Sequence, residues 1–402
     1  MEHLSRVSSS EAIASAGSVP RVHNSGGGCP PITGRVLRFV HVSVISRSLI
    51  RAIAELGAPV VDRPQRDDDG QMPILDPGHD LGHPVEADTA WSESYYFNGY
   101  DPASDSGLFT RIGIRPNEGT MDVGLSLWFP GGDLGEYHAV KDQHEMVDTV
   151  LEVGDVRYEM VEPMRTWRLT FSGDSSVRSC ARGSVSDHDV PVSLDLRFDS
   201  LTPAMGTDGQ RTTQGSTAST AAAGSTGKGH AEQAGAWSGW LEVDGRRYLW
   251  DGALGNRDRS WGPRNWGGPT MWRWFSINID RDLHFGGIRL GTGRGDLHRG
   301  WVYDGGSVSS VAEWRIRTDL AGDGLTQQIV HLIVVTKTGK EYELSGEVLR
   351  VADIGRRTGT LINEGLTRWT YHDRDGSTRT GSGIAEYLHQ LDGDGKPVVP
   401  VD

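Results

Sequence analysis

The densest chemistry in the chain lies in residues 251–274, DGALGNRDRSWGPRNWGGPTMWRW, where Asp258 stands among Arg257, Arg259 and Arg264 and the indoles of Trp261, Trp266, Trp272 and Trp274 are interleaved. Charged groups beside large aromatics are costly to dehydrate unless they pair with each other or serve a ligand, so the stretch reads either as an ion-paired clasp or as a site. As a clasp, Asp258 pairs with an arginine while guanidinium planes stack on Trp261 or Trp266. As a site, Asp258 is the acid or orienting carboxylate, and Trp261, Trp272 and Trp274 are walls that can stabilise a cation. Arg259 and Arg264 then either hold Asp258 or meet a carboxylate on the ligand. Glu93 and Tyr95, in WSESYYF, are weaker pocket candidates, at least one of which is expected to sit at a solvent-facing strand position.

Other chemistries find no anchor. HDLGH carries His79 and His83 at a spacing that suits zinc only on a helix, and Pro77, Gly78, Gly82 and Pro84 deny it one. GTGRG at 291–295 opens no helix and reads as a hairpin turn rather than a phosphate cradle. There is no GxSxG elbow, P-loop or CxxC, so neither serine hydrolysis nor nucleotide or dithiol chemistry is expected, and no metal or cofactor. Cys29 and Cys180 are too few for a disulfide framework.

The elements that must position these residues are strands. WSESYYFNGYD, LFTRIGIRP, MDVGLSLWFP, TWRLTFSG and VSLDLRFDS alternate apolar with polar residues and are punctuated by Gly, Pro, Asn and Asp. After residue 235, WSGWLEVDGRRYLWDGALG resumes the alternation around a VDGRR hairpin turn. The second half repeats the texture in WRWFSINID, HFGGIRL, RGWVYDGG, EWRIRTDL, QQIVHLIVVT, KEYELSGEVLRVA, TLINEGLTRWTY and GIAEYLHQL. On the first of these, Trp272, Trp274 and Ser276 share one face and Arg273 and Phe275 the other; if the first face points into a barrel, it lines an aromatic cavity.

A chain of 402 residues exceeds what one core usually fills. The expected organisation is all-β: an extension over 1–71, disordered apart from one short helix around Leu49, Ile50, Ile53 and Leu56, then a β domain over 72–250 and a second over 251–402. The extension differs so much in texture that Met72 is a candidate natural start. Residues 202–235, rich in Ser, Thr, Ala and Gly, read as a long flexible loop. A formal net charge of -14 argues against nucleic acid as a partner. No run approaches a membrane span and the N-terminus lacks a signal-peptide core, so a cytoplasmic location is expected.

GNRDRSWGPRNW, together with WSESYYFNGYD, RIGIRPNEG, HAEQAG, NEGLTRW and GIAEYL, resembles the lipocalin-like superfamily that includes carotenoid 1,2-hydratases, AttH-like proteins and, more distantly, tocopherol cyclase. It is most similar to an actinobacterial branch of that superfamily, over roughly Met72 to Leu391. The resemblance implies two consecutive lipocalin-like β domains and a pocket for a hydrophobic small molecule, of isoprenoid, steroid or polyketide type. Two functions follow from it: hydration, cyclisation or isomerisation of that molecule, or its carriage without catalysis. In the hydratases the motif carries a histidine two residues before the tryptophan, implicated in protonation; here that position is Arg259, and Trp261 is kept. Arginine does not release a proton near neutral pH, which leaves Asp258 as the candidate acid within the motif, while the guanidiniums around it are expected to keep it ionised and so favour the clasp.

Overall fold

The computed structural model describes residues 73–178, 187–209, 227–264, 268–292, 295–354 and 359–402. The expected helix and the candidate start at Met72 lie outside these residues. Eleven strands form one antiparallel sheet: β1 (Trp91–Asp101), β2 (Ser106–Arg115), β3 (Thr120–Trp128), β4 (Leu134–Asp142), β5 (Val150–Val153), β6 (Val156–Glu162), β7 (Thr166–Arg178), β8 (Asp187–Ser200), β9 (Met205–Thr207), β10 (Gly229–Val243) and β11 (Arg246–Pro263). Ten of them run in the order β4-β3-β2-β1-β11-β10-β8-β7-β6-β5, β9 pairs with β10 beside this path, and a short ladder from β4 back to β7 joins the sheet into a ring. Residues 205–207 and 229–235, within the stretch expected to be a loop, are therefore strand, because their main-chain groups complete the β9–β10–β11 ladders.

The second unit is a closed antiparallel barrel of β12 (Met271–Asn278), β13 (Leu283–Thr292), β14 (Gly295–Asp304), β15 (Ser307–Leu320), β16 (Gln327–Thr336), β17 (Glu341–Ile354), β18 (Thr360–His372) and β19 (Thr378–Gln390). Closure removes the unpaired edges that an open sheet of this size would expose. The fold is thus the expected all-β pair of successive units, and the chain passes from one to the other between Pro263 and Met271. No α-helix occurs among the described residues, and none is long and apolar enough to cross a membrane.

Each unit fills its interior with every second side chain of its strands. Phe97, Ile112, Leu125, Tyr158, Trp167 and Trp237 pack inside the first, and Phe275, Phe285, Trp314, Tyr342 and Trp369 inside the second. A third cluster joins the outer faces, with Tyr100, Phe109, Trp128 and Leu134 from β1–β4 against Trp272, Trp274, Ile362 and Leu388. Polar cross-links register the two units: Asn98 Nδ2 donates to Ser276 Oγ at 3.0 Å, and Asn278 Nδ2 to Asn256 Oδ1 at 2.6 Å. Trp272, Trp274 and Ser276 consequently face out of the second barrel, and the expectation that they line a cavity inside it is corrected: it is Phe275 and Ile277 that point inward.

Candidate functional site

Alternation along β11 divides the charged motif between two places. Arg257, Arg259 and Trp261 point into the first unit, on the side of Tyr95 and Phe97, whereas Asp258 and Ser260 face the second barrel. On the inner side Arg257 Nη1 pairs with Asp80 Oδ1 at 2.7 Å and Arg259 Nη2 with Glu93 Oε2 at 2.5 Å, every one of these side chains being almost fully buried. The Arg259 guanidinium lies 4.3 Å from the centre of the Tyr95 ring. Trp261 stacks on His83 at 3.9 Å between ring centres and on His79 at 5.6 Å, and His83 Nδ1 reaches Glu93 Oε1 at 3.3 Å. The HDLGH segment is thus held over the inner face by stacking and ion pairing. Glu93 and Tyr95, at 0% and 1% exposure, both belong to this cluster, and neither turns to solvent as one of them was expected to do. The clasp exists, but Asp258 is not part of it.

Asp258 lies instead at the junction of the two units, in a construction of two facing rungs. Strand pairing sets Tyr96, Asp258 and Glu232 side by side on β1, β11 and β10. It likewise sets Glu364, Glu386 and Trp274 side by side on β18, β19 and β12. The rungs are tied at both ends: Tyr96 Oη donates to Glu364 Oε2 at 3.3 Å, and Trp274 Nε1 to Glu232 Oε1 at 2.7 Å. Trp301 Nε1 donates to the other oxygen of Glu232, also at 2.7 Å, and Trp272 Nε1 donates to Glu386. The middle members, Asp258 and Glu386, are only half-buried, as are Tyr96, His230 and Arg264 around them. They are the partly accessible groups of the junction between the units.

Four carboxyl groups so close together cannot all remain ionised away from water. Burial first, then the charge of Glu386 and a hydrogen bond shared with it, push Glu364 well above the usual carboxyl range. Burial also raises Glu386, but the same shared hydrogen bond and the Trp272 donor act to lower it. The two carboxyls are therefore raised together and share a proton as a pair. Glu232 is raised by burial and by Asp258, against the lowering effect of His230 and its two indole donors.

His230, on β10, hydrogen-bonds Asp258 through Nε2. Burial alone would lower its pKa, but the charge and hydrogen bond of Asp258, with Glu232 at 3.6 Å, outweigh this and raise it to about 9. The ring is an imidazolium at neutral pH, and its side chain still keeps 40% of its surface accessible. A second proton-holding group thus stands at the junction. Arg264 is pulled down to about 10 by burial and by Arg111, with Asp258 and Glu386 acting in the opposite direction.

Of the expected site residues, the junction brings together Asp258, Arg264, Trp272 and Trp274, while Arg259, Trp261, Glu93 and Tyr95 gather on the opposite face of the first sheet. Tyr96, His230, Glu232, Glu364 and Glu386 escaped the sequence reading, although HAEQAG, NEGLTRW and GIAEYL were singled out. Their shared signal is a lone glutamate in an otherwise apolar or small-residue strand. His230, Glu232 and Asp258 also have the composition to hold a metal ion, with donor atoms all within 4.8 Å of one another, and form the one such group among the described residues. Since His230 Nε2 is engaged with Asp258, a metal would have to displace that contact.

No sequence among curated proteins matches the chain. Solved structures share its fold, two of them as follows. An AttH candidate from Nitrosomonas europaea aligns with a TM-score of 0.52 and 16% identity, over 77% of this chain and 98% of its own. Kievitone hydratase from Nectria haematococca aligns with a TM-score of 0.50 and 14% identity, over 80% of this chain and 94% of its own. At such identities the likeness establishes architecture, and function has to be argued from the site. Residues 76–391 match the family model described as a domain of unknown function, DUF7064, and the chain belongs to that family.

Proposed function

We propose that the chain binds an apolar small molecule of isoprenoid, steroid or polyketide type at the junction between its two units and adds water across a carbon–carbon double bond. The observation that carries this reading is the placement of Glu364 and Glu386 side by side on β18 and β19, opposite Asp258, where burial raises both carboxyls and lets the pair keep a proton.

Glu364 gives its proton to one alkene carbon as the π bond breaks. The positive charge that develops on the other carbon meets the faces of Tyr96 and Trp274, whose rings stand edge to face at 5.6 Å, and the carboxylates of Asp258 and Glu386. Water then bonds to that carbon, and Glu386 takes the proton that water releases. Transfer along the hydrogen bond between the glutamates returns the proton to Glu364 and closes the cycle. Deprotonation of the cation at a neighbouring carbon, in place of water addition, gives isomerisation with the same groups. The name of the similarly folded kievitone hydratase, which denotes water addition, accords with this chemistry.

The test has two stages. Molecules extracted from purified protein are identified by mass spectrometry, and the best alkene is incubated with the enzyme in deuterium oxide. Deuterium incorporated at carbon by the wild type and not by Glu364→Gln supports the reading. A bound alkene that never exchanges supports carriage instead.

A further inference from the structure

Beside the junction, on the same face of β1, opens a cleft of about 290 Å³ lined by Ala90, Ser92, Arg111, Arg115, Glu118 and Arg264. Three guanidiniums and Glu118 line its walls, and Arg115 Nε pairs with Glu118 Oε2 at 3.1 Å. Arg111 and Arg115 are positioned by Asp122, at 3.1 Å and 2.8 Å, and Arg111 Nε also donates to Ser94 Oγ at 2.8 Å. The main-chain N–H of Arg264 donates to Ala90 O at 3.0 Å, fixing the end of β11 beside the start of β1. Guanidinium groups outnumber carboxylates in this lining, which favours an anion there.

A second observation concerns Ser92. Its side chain is 95% buried, being 5% exposed, it lines the cleft, and its Oγ has no hydrogen-bond partner within the protein. Buried hydroxyls are almost always partnered, so an orphan in a cation-lined cleft points to an acceptor supplied from outside. Ser92, Ser94 and Tyr96 alternate along one face of β1 and lead from the cleft to the junction, and Arg264 borders both.

We propose that the cleft seats the head group of the ligand, and that this head group is a carboxylate on an otherwise apolar molecule whose chain runs past Tyr96 toward Asp258 and Glu386. A singly charged planar oxyanion fits the guanidinium fork. A phosphate dianion would bring a second negative charge against Glu118. The inference rests on the proposed function only for the direction in which the chain extends.

Binding of dodecanoate, dodecan-1-ol and dodecyl phosphate to the full chain, followed by calorimetry and tryptophan fluorescence, tests it. Wild type is expected to bind dodecanoate about tenfold or more tightly than the alcohol, as a charge-assisted contact requires. Arg264→Gln and Ser92→Ala are each expected to erode that preference while keeping affinity for the alcohol, which shows that the variants remain folded. Equal affinity of wild type for acid and alcohol, or a preference that survives both substitutions, overturns the head-group site; tighter binding of the phosphate overturns the carboxylate. Glu364→Gln is expected to keep the preference. A protein that discriminates acid from alcohol yet exchanges no proton into an alkene overturns the catalytic reading alone, and one that exchanges without discriminating overturns the head-group site alone.

Discussion

Asp258 and Arg259 are adjacent in sequence and point to opposite faces of β11, so that one carboxylate serves the junction between the units while the neighbouring guanidinium is locked to Glu93 inside the first. Stability and chemistry are thereby separated along a single strand. Arg259→Ala leaves Glu93 buried without its counter-charge and is expected to cost roughly 3–5 kcal/mol. Asp258→Asn weakens its contact with a partly accessible imidazolium and its attraction to Arg264, and is expected to cost about 1 kcal/mol. Urea denaturation of the two variants measures the difference. Equal losses would remove the distinction between the two faces.

Much of the fold was legible because its strands alternate cleanly. All eight strands of the second barrel coincide with alternating segments, and VDGRR makes its turn with Asp244 and Gly245 both at positive φ, as a tight hairpin needs. The strands that escaped, β4, β5, β6 and β9, are short or largely exposed, so their apolar face is written in only a few residues. The site was legible only where it was local. Asp258 stood out through its neighbours, but its working partners come from β1, β10, β18 and β19, and no spacing in the sequence reports which strands pair. His230 and Glu232 were further masked by the low-complexity run before them, which made HAEQAG read as the end of a loop rather than the start of β10.

His230 supplies a pH signature. Its folded pKa of about 9 lies above the unfolded value near 6.5, so its pairing with Asp258 stabilises the fold fully below about pH 6.5 and is lost as the pH rises through 9. Proton NMR of the imidazole should give a midpoint near 9 in wild type, and Asp258→Asn should bring it down toward or below the ordinary range. A midpoint unchanged by that substitution would mean that Asp258 does not hold the proton.

The glutamate pair acts in the same direction from a lower starting point. Glu364 and Glu386 both have folded pKa values above their unfolded ones, so their joint contribution is fully present at acid pH and falls as the pH rises from about 4.5 through the raised values. Glu364→Gln should flatten this part of the stability–pH curve, because the amide keeps its shape and never ionises. It should also lower turnover by about 100- to 10,000-fold, the usual worth of a positioned general acid, with little change in ligand affinity. Turnover that persists in Glu364→Gln with a pH limit near 9 would move the acid role to His230.

The indole donors make the last prediction, since they tie the acid–base groups to the rigidity of the junction. Glu232 belongs to the first unit and accepts from Trp274 and Trp301 of the second, both at 2.7 Å. Trp274→Phe keeps most of the apolar contact with Tyr96 and removes one of those bonds, leaving a buried carboxylate oxygen unsatisfied at a cost of about 1–3 kcal/mol. Glu232→Gln removes the charge while keeping an acceptor for one indole, so the loss should be smaller when Trp274→Phe is introduced on that background. A double-mutant cycle on calorimetric unfolding should return a coupling of about 1–2 kcal/mol between the two positions. A coupling near zero would show that the hydrogen bond across the junction contributes nothing to holding the units together, and the facing rungs would then need another source of alignment.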